Sequence, residues 1–136
     1  MADTVAVMQR VWNVREEIEK GGFVEFEPQQ FDGYWVKFLA QINDPERKLW
    51  KHMINIAFLE PGKTKVHAHP AENVLYLFEG EGVYVSSENP REETPVKAGD
   101  MCIALGGQDH GFLNTSKDKR LYYLAVEGPV DFGPRE

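Results

Sequence analysis

The chain carries four histidines, and two of them form the short string His67-Ala68-His69. On a β-strand, residues two apart point to the same face, so both imidazoles can reach one point. Converging neutral imidazoles hold divalent ions or carry protons. Alone, the pair is weak evidence, since two histidines on one strand are more often surface or core residues than ligands. His52 lies in LWKHMINIAFL, on one strand face with Trp50, Ile54, Ile56 and Phe58. Its unperturbed pKa near neutrality suits a proton carrier, although a satisfied structural histidine is the commoner case. Tyr76 is a second candidate acid/base. With Tyr34, Trp35, Tyr122 and Tyr123 it could line a cavity, but aromatic residues also fill cores. Strand alternation sends Tyr122 and Tyr123 to opposite faces, so at most one faces inward. Cys102 alternates with apolar neighbours and reads as a small buried hydrophobe.

These residues must be positioned by strands. The one helix-like segment is Val14–Lys20, capped by Asn13 and stopped by Gly21-Gly22. After Gly22 the pattern becomes that of short strands: Phe23–Glu27, Tyr34–Ile42 and Leu49–Leu59, the last two forming a hairpin across Asn43-Asp44-Pro45. Val74–Phe78 and Gly82–Ser86 flank the tight turn Glu79-Gly80-Glu81, read as a second hairpin. Met101–Leu105, Gly111–Leu113 and Leu121–Val126 complete the set. Glu81, Glu88, Glu92 and Glu93 read as a solvated edge. Turn signals recur at the spacing of an all-β sandwich or barrel.

Composition narrows the function classes. The 136 residues suit one domain, and 42% apolar content is enough for a core without staples. Acidic residues outnumber basic ones 22 to 15, a net charge of -7. That sign repels phosphate backbones and anionic lipid, so nucleic-acid and membrane-surface roles are poor fits. Cys102 is the only cysteine, so neither an internal disulfide nor a thiolate cluster can form. The start lacks a basic segment followed by an apolar run, and no stretch approaches the ~20 apolar residues that span a bilayer. A cytoplasmic protein is the expectation.

A family pattern connects the histidines. The stretch PGKTKVHAHPAENVLYLFEG resembles the first motif of the cupins: a glycine, HxH, an acidic or amide position, then glycine. GDMCIALGGQDHGFLN is similar to the second, with Gly99, Gly107, His110 and Asn114 at matching spacing. The segments lie 19 residues apart, from Gly80 to Gly99, and together run from Pro61 to Asn114. The resemblance implies an all-β jelly-roll barrel with a short N-terminal helix, one domain over residues 1–136 with its core at about 23–128. It also implies one divalent metal held by His67, His69 and His110. Three features depart from the pattern. The Gly62–His67 gap is one residue short, Leu105 stands where proline is common, and Asn73 occupies the position of a frequent ligand glutamate. Glu72 is its neighbour, but adjacent strand residues face opposite ways unless a bulge intervenes. Asp109 could orient His110 as an acceptor, or be a solvated turn carboxylate.

Under that resemblance Asn73 is a weak fourth ligand or a partner of bound water. Imidazole-rich ligation suits Fe, Ni, Zn or Cu better than Mn. An ion without a carboxylate ligand keeps its full charge and acts as a strong Lewis acid. The resulting expectation is a metal-dependent enzyme acting on a small, oxygen-rich, sugar-acid-like metabolite by assisted proton transfer: isomerisation, tautomerisation or elimination. An Fe(II)-dependent dioxygenase and a non-catalytic small-molecule binder are the alternatives. A homodimer is the family-based expectation for the assembly.

Overall fold

The computed structural model describes residues 11–40, 52–68, 71–86 and 92–129. The Asn43-Asp44-Pro45 turn, His69 and Glu88 lie outside the described residues. A helix, α1 (Val14–Lys20), precedes ten strands: β1 (Val24–Glu25), β2 (Tyr34–Ala40), β3 (Met53–Leu59), β4 (Thr64–His67), β5 (Glu72–Glu79), β6 (Glu81–Ser86), β7 (Glu92–Lys97), β8 (Met101–Ala104), β9 (His110–Asn114) and β10 (Leu121–Gly128). They form two antiparallel sheets, β1-β2-β3-β10-β5-β8 and β4-β9-β6-β7, the expected all-β jelly roll with a short N-terminal helix.

Helix α1 begins where Asn13 accepts a hydrogen bond from the Glu16 amide at 3.0 Å and ends at Gly21, whose φ of 72° only glycine adopts freely. None of its residues is buried. Ion pairs tether it instead, Lys37 to Glu17 at 2.9 Å and Arg15 to Glu79 at 2.7 Å.

Strands β2 and β3 pair as the sequence suggests, from Tyr34 opposite Leu59 to Ala40 opposite Ile54. The second expected hairpin is not one. β5 and β6 meet at Gly80 but belong to different sheets, so Glu79-Gly80-Glu81 is a corner that carries the chain across the sandwich. Gly80 has φ 99°, and a Cβ there would press on the Arg120 carbonyl at 2.7 Å. Positive φ and close approach thus require glycine, although no hairpin is made. The acidic stretch around Glu92 and Glu93 forms β7, an exposed edge strand of the smaller sheet.

The core lies between the sheets. Period-two alternation turns Asn73, Leu75 and Leu77 of β5 inward, to join Val36, Ala57, Leu59, Leu121, Tyr123 and Ala125 of the same sheet. Phe112 and Val96 close the core from the other sheet. Cys102 is buried within it, as expected. Asn114 is fully buried and ties three chain segments: its Nδ2 donates to the Leu59 and Lys119 carbonyls at 3.0 and 2.9 Å, and its Oδ1 accepts from the Ser116 amide. Among the described residues no helix is long and apolar enough to cross a membrane.

Candidate functional site

One end of the sandwich interior is hollow. A cavity of about 360 Å³ opens between the sheets, with Asn55, Asn73, Glu127, Lys65, His67 and His110 supplying its chemistry and Phe26, Tyr34, Leu75, Phe112 and Tyr123 among its walls. Register explains the convergence. His67 on β4 stands opposite His110 on β9, and their ring centroids lie 5.1 Å apart. Across the cavity, Asn73 stands opposite Glu127, and Asn55 opposite Ala125.

His110 is nearly fully buried. Its Nδ1 lies 3.0 Å from the Gln108 carbonyl, which can only accept, so Nδ1 carries the proton and Nε2 keeps its lone pair. The Asn73 amide lies 3.2 Å from that Nε2 and donates to it. The Gln108 main chain thus takes the acceptor role considered for Asp109, whose side chain is exposed at the turn. Asn73 is buried while Glu72 is exposed, so alternation without a bulge brings the amide inward and leaves the carboxylate outside.

Lys65 is the residue that sequence reasoning missed. It lies two positions before His67, hence on the same strand face, and is only 7% exposed. Its Nζ donates to His67 Nε2 at 2.6 Å and stands over the Tyr34 ring at 4.7 Å from the centroid. Burial pushes its pKa down to about 7, against the opposing pull of Glu127 and Glu27. The HxH motif drew attention to positions 67 and 69. Extending its period backward, to a lysine among otherwise strand-forming residues, was the available signal.

Tyr34, Tyr123, Glu27 and Gln30 are further polar residues of the lining. Tyr34 and Tyr123 share a hydrogen bond, and burial raises both, Tyr34 to about 12, so both stay neutral phenols. Tyr123 alone of the Tyr122–Tyr123 pair lines the cavity; Tyr122 packs outside against Phe23, Phe58 and Phe78. Glu27, at φ 50°, adopts a left-handed backbone that costs on the order of 1 kcal/mol. Its carbonyl accepts from the Gln30 and Phe31 amides, a turn whose Glu27 and Gln30 line the cavity.

Neither of the two expected proton carriers, His52 and Tyr76, is among the residues that line this cavity. Tyr76 is 43% exposed because alternation that points Asn73 and Leu75 inward points Tyr76 out. His52 lies outside the cavity lining, its ring against Gly128. In β3 it is Met53, Asn55 and Ala57 that face inward, while Phe58 joins the outer aromatic cluster with Trp35.

The two described imidazoles are of the donor type that suits a divalent transition metal. Two imidazoles hold Nε2 lone pairs toward the cavity, one oriented by a main-chain carbonyl, with an amide beside it. His67 would have to exchange its Lys65 contact, and His110 its Asn73 contact, for the ion. Among the described residues no three His, Cys, Asp or Glu converge closely enough to complete a shell, and His69, the third expected imidazole, lies outside them.

Residues 55–127 match the family model described as a cupin domain. An oxalate-binding protein of Thermotoga maritima is 36% identical over 70 residues, spanning 50% of this chain and about half (54%) of the relative. Among solved structures, one described as a predicted oxalate decarboxylase from T. maritima is 28% identical, with a TM-score of 0.57 over 69% of this chain and 78% of that one. The polyketide cyclase RemF of Streptomyces resistomycificus is 19% identical, with a TM-score of 0.65 over 89% and 79% of the two chains, a likeness of fold alone.

Proposed function

Because this chain belongs to the cupin family, we propose that its cavity holds a divalent transition metal through His67, His69 and His110, with Asn73 beside it, and takes a small carboxylic acid as ligand. The observation that carries this reading is the pair of imidazoles, His67 and His110, that line one cavity with their rings 5.1 Å apart, the Nδ1 proton of His110 directed to the Gln108 carbonyl. The similarity to an oxalate-binding protein supports the class of ligand. When bound, the metal supplies Lewis acidity that eases proton transfer at a carbon next to a carbonyl or hydroxyl. Fe, Ni, Zn or Cu suits the donors better than Mn.

The chain's own residues do the rest. His67 and His110 supply ligand nitrogens, Asn73 stands beside His110, and the Phe26–Gln30 turn forms part of the cavity wall. A second reading, binding without turnover, draws on the absence of His52 and Tyr76 from the cavity lining. Incubation of the metal form with candidate acids separates the two: isomerised or eliminated product supports the enzyme, and saturable binding with no product supports the binder. Oxygen uptake in the same assay would favour the dioxygenase alternative.

The homodimer belongs to the same proposal. Val74 and Ile103, and Tyr76 and Met101, are register partners on the outer face at the β8 edge. All four are exposed, Ile103 at 63%. A second copy of the chain is the proposed cover.

A further inference from the structure

We infer that Lys65 and Asn55 together select a hydroxy acid with one carboxylate, Lys65 pairing with the carboxylate and Asn55 accepting from the hydroxyl. This rests on the small-acid reading above and narrows it. A buried ammonium is costly unless paired, yet among the described residues no carboxylate lies within ion-pair distance of Lys65 Nζ, whose one polar contact is His67. An ammonium has three donors, so at least two are available to a ligand. The aromatic walls that hold Nζ, Tyr34 and Phe31, fix its place without neutralising it.

Asn55 supplies the second, independent observation. Its residue is 8% exposed, it lines the same cavity, and its Oδ1 is buried with no hydrogen-bond partner. An orphan acceptor of this kind costs about 1–3 kcal/mol unless a donor arrives. A carboxylate cannot serve, because it only accepts; a hydroxyl can. Glu27 and Glu127 face the same space and disfavour a second carboxylate. Lys65 offers a cationic donor and Asn55 a hydroxyl acceptor, beside two carboxylates that disfavour a second anionic group, which distinguishes a hydroxy acid from a dicarboxylate such as oxalate.

The test pairs ligand changes with residue changes. Lactate, propionate (no hydroxyl), lactamide (no charge) and oxalate are titrated by ligand-observed NMR into the purified protein, its metal content measured. Wild type should bind lactate at least tenfold more tightly than any of the other three. Lys65→Met should collapse the lactate-to-lactamide ratio toward one and leave the lactate-to-propionate ratio in place. Asn55→Leu should do the reverse, with metal content unchanged in both. The wild-type series stands as a test even if a variant misfolds. Oxalate or propionate binding wild type as well as lactate overturns the inference while the small-acid reading survives, as does a lactate-to-lactamide ratio unchanged in Lys65→Met. Failure of every acid to bind overturns both.

Discussion

Replacing Lys65 with methionine should make the metal-free protein more stable at pH 6, although it removes a group proposed for ligand recognition. The magnitude follows from burial. A lysine at 10.5 when unfolded and about 7 when folded loses about 3.5 units, on the order of 5 kcal/mol at ~1.4 kcal/mol per unit. Methionine keeps the stem's apolar contacts but gives up the Tyr34 cation–π contact, about 1–2 kcal/mol, and the charge-assisted hydrogen bond to His67, about 2 kcal/mol. A net gain of about 1 kcal/mol remains at pH 6. The folded pKa is depressed for a base, so between about 7 and 10.5 the unfolded chain holds the proton and the folded chain does not. Wild-type stability should therefore rise with pH across that window, and Lys65→Met should lack this rise. Urea unfolding in the presence of a chelator, at steps from pH 6 to pH 10, reads both effects. A variant less stable than wild type at pH 6, or a wild type whose stability shows no Lys65-dependent rise above pH 7, refutes the reasoning.

Other substitutions test separate parts of the account. His110→Ala or His67→Ala should abolish stoichiometric metal by elemental analysis, while His52→Ala, which alters a residue outside the cavity lining, should leave it in place. Asn73→Glu adds an anionic donor where the buried amide now faces His110; metal titration should show tighter binding and a shift toward Mn, whereas Asn73→Ala should weaken binding only modestly. Asn114→Leu strands the two carbonyls and the amide that Asn114 now satisfies and should cost about 3 kcal/mol or more in chemical denaturation. Ile103→Asp places a charge on the exposed outer strip and should give a monomer in light scattering where wild type gives a dimer.

Much of the fold was legible because alternation and breakers are local signals. The helix, with Asn13 and Gly21 as its ends, and the β2–β3 hairpin follow from such signals. The Glu79-Gly80-Glu81 corner did not, since positive φ at glycine permits a sheet-to-sheet crossing as readily as a hairpin; the distinction rests on the packing of Gly80 against Arg120 and Leu121. At the site, period two correctly separates Asn73 from Glu72. The faces of Tyr76 and His52 depend on which side of a sheet meets the core, and both sides of β3 are rich in apolar residues. Lys65 was hidden for a different reason: lysine is ordinarily exposed, and only the cavity reveals a buried one.

The most direct measurement is the metal content of protein purified without added metal, wild type beside His110→Ala, each confirmed folded. The account predicts near-stoichiometric Fe, Ni, Zn or Cu in wild type and a loss of that metal in the variant. Metal-free wild type that also takes up none of these ions on titration, or equal metal in both proteins, would contradict it.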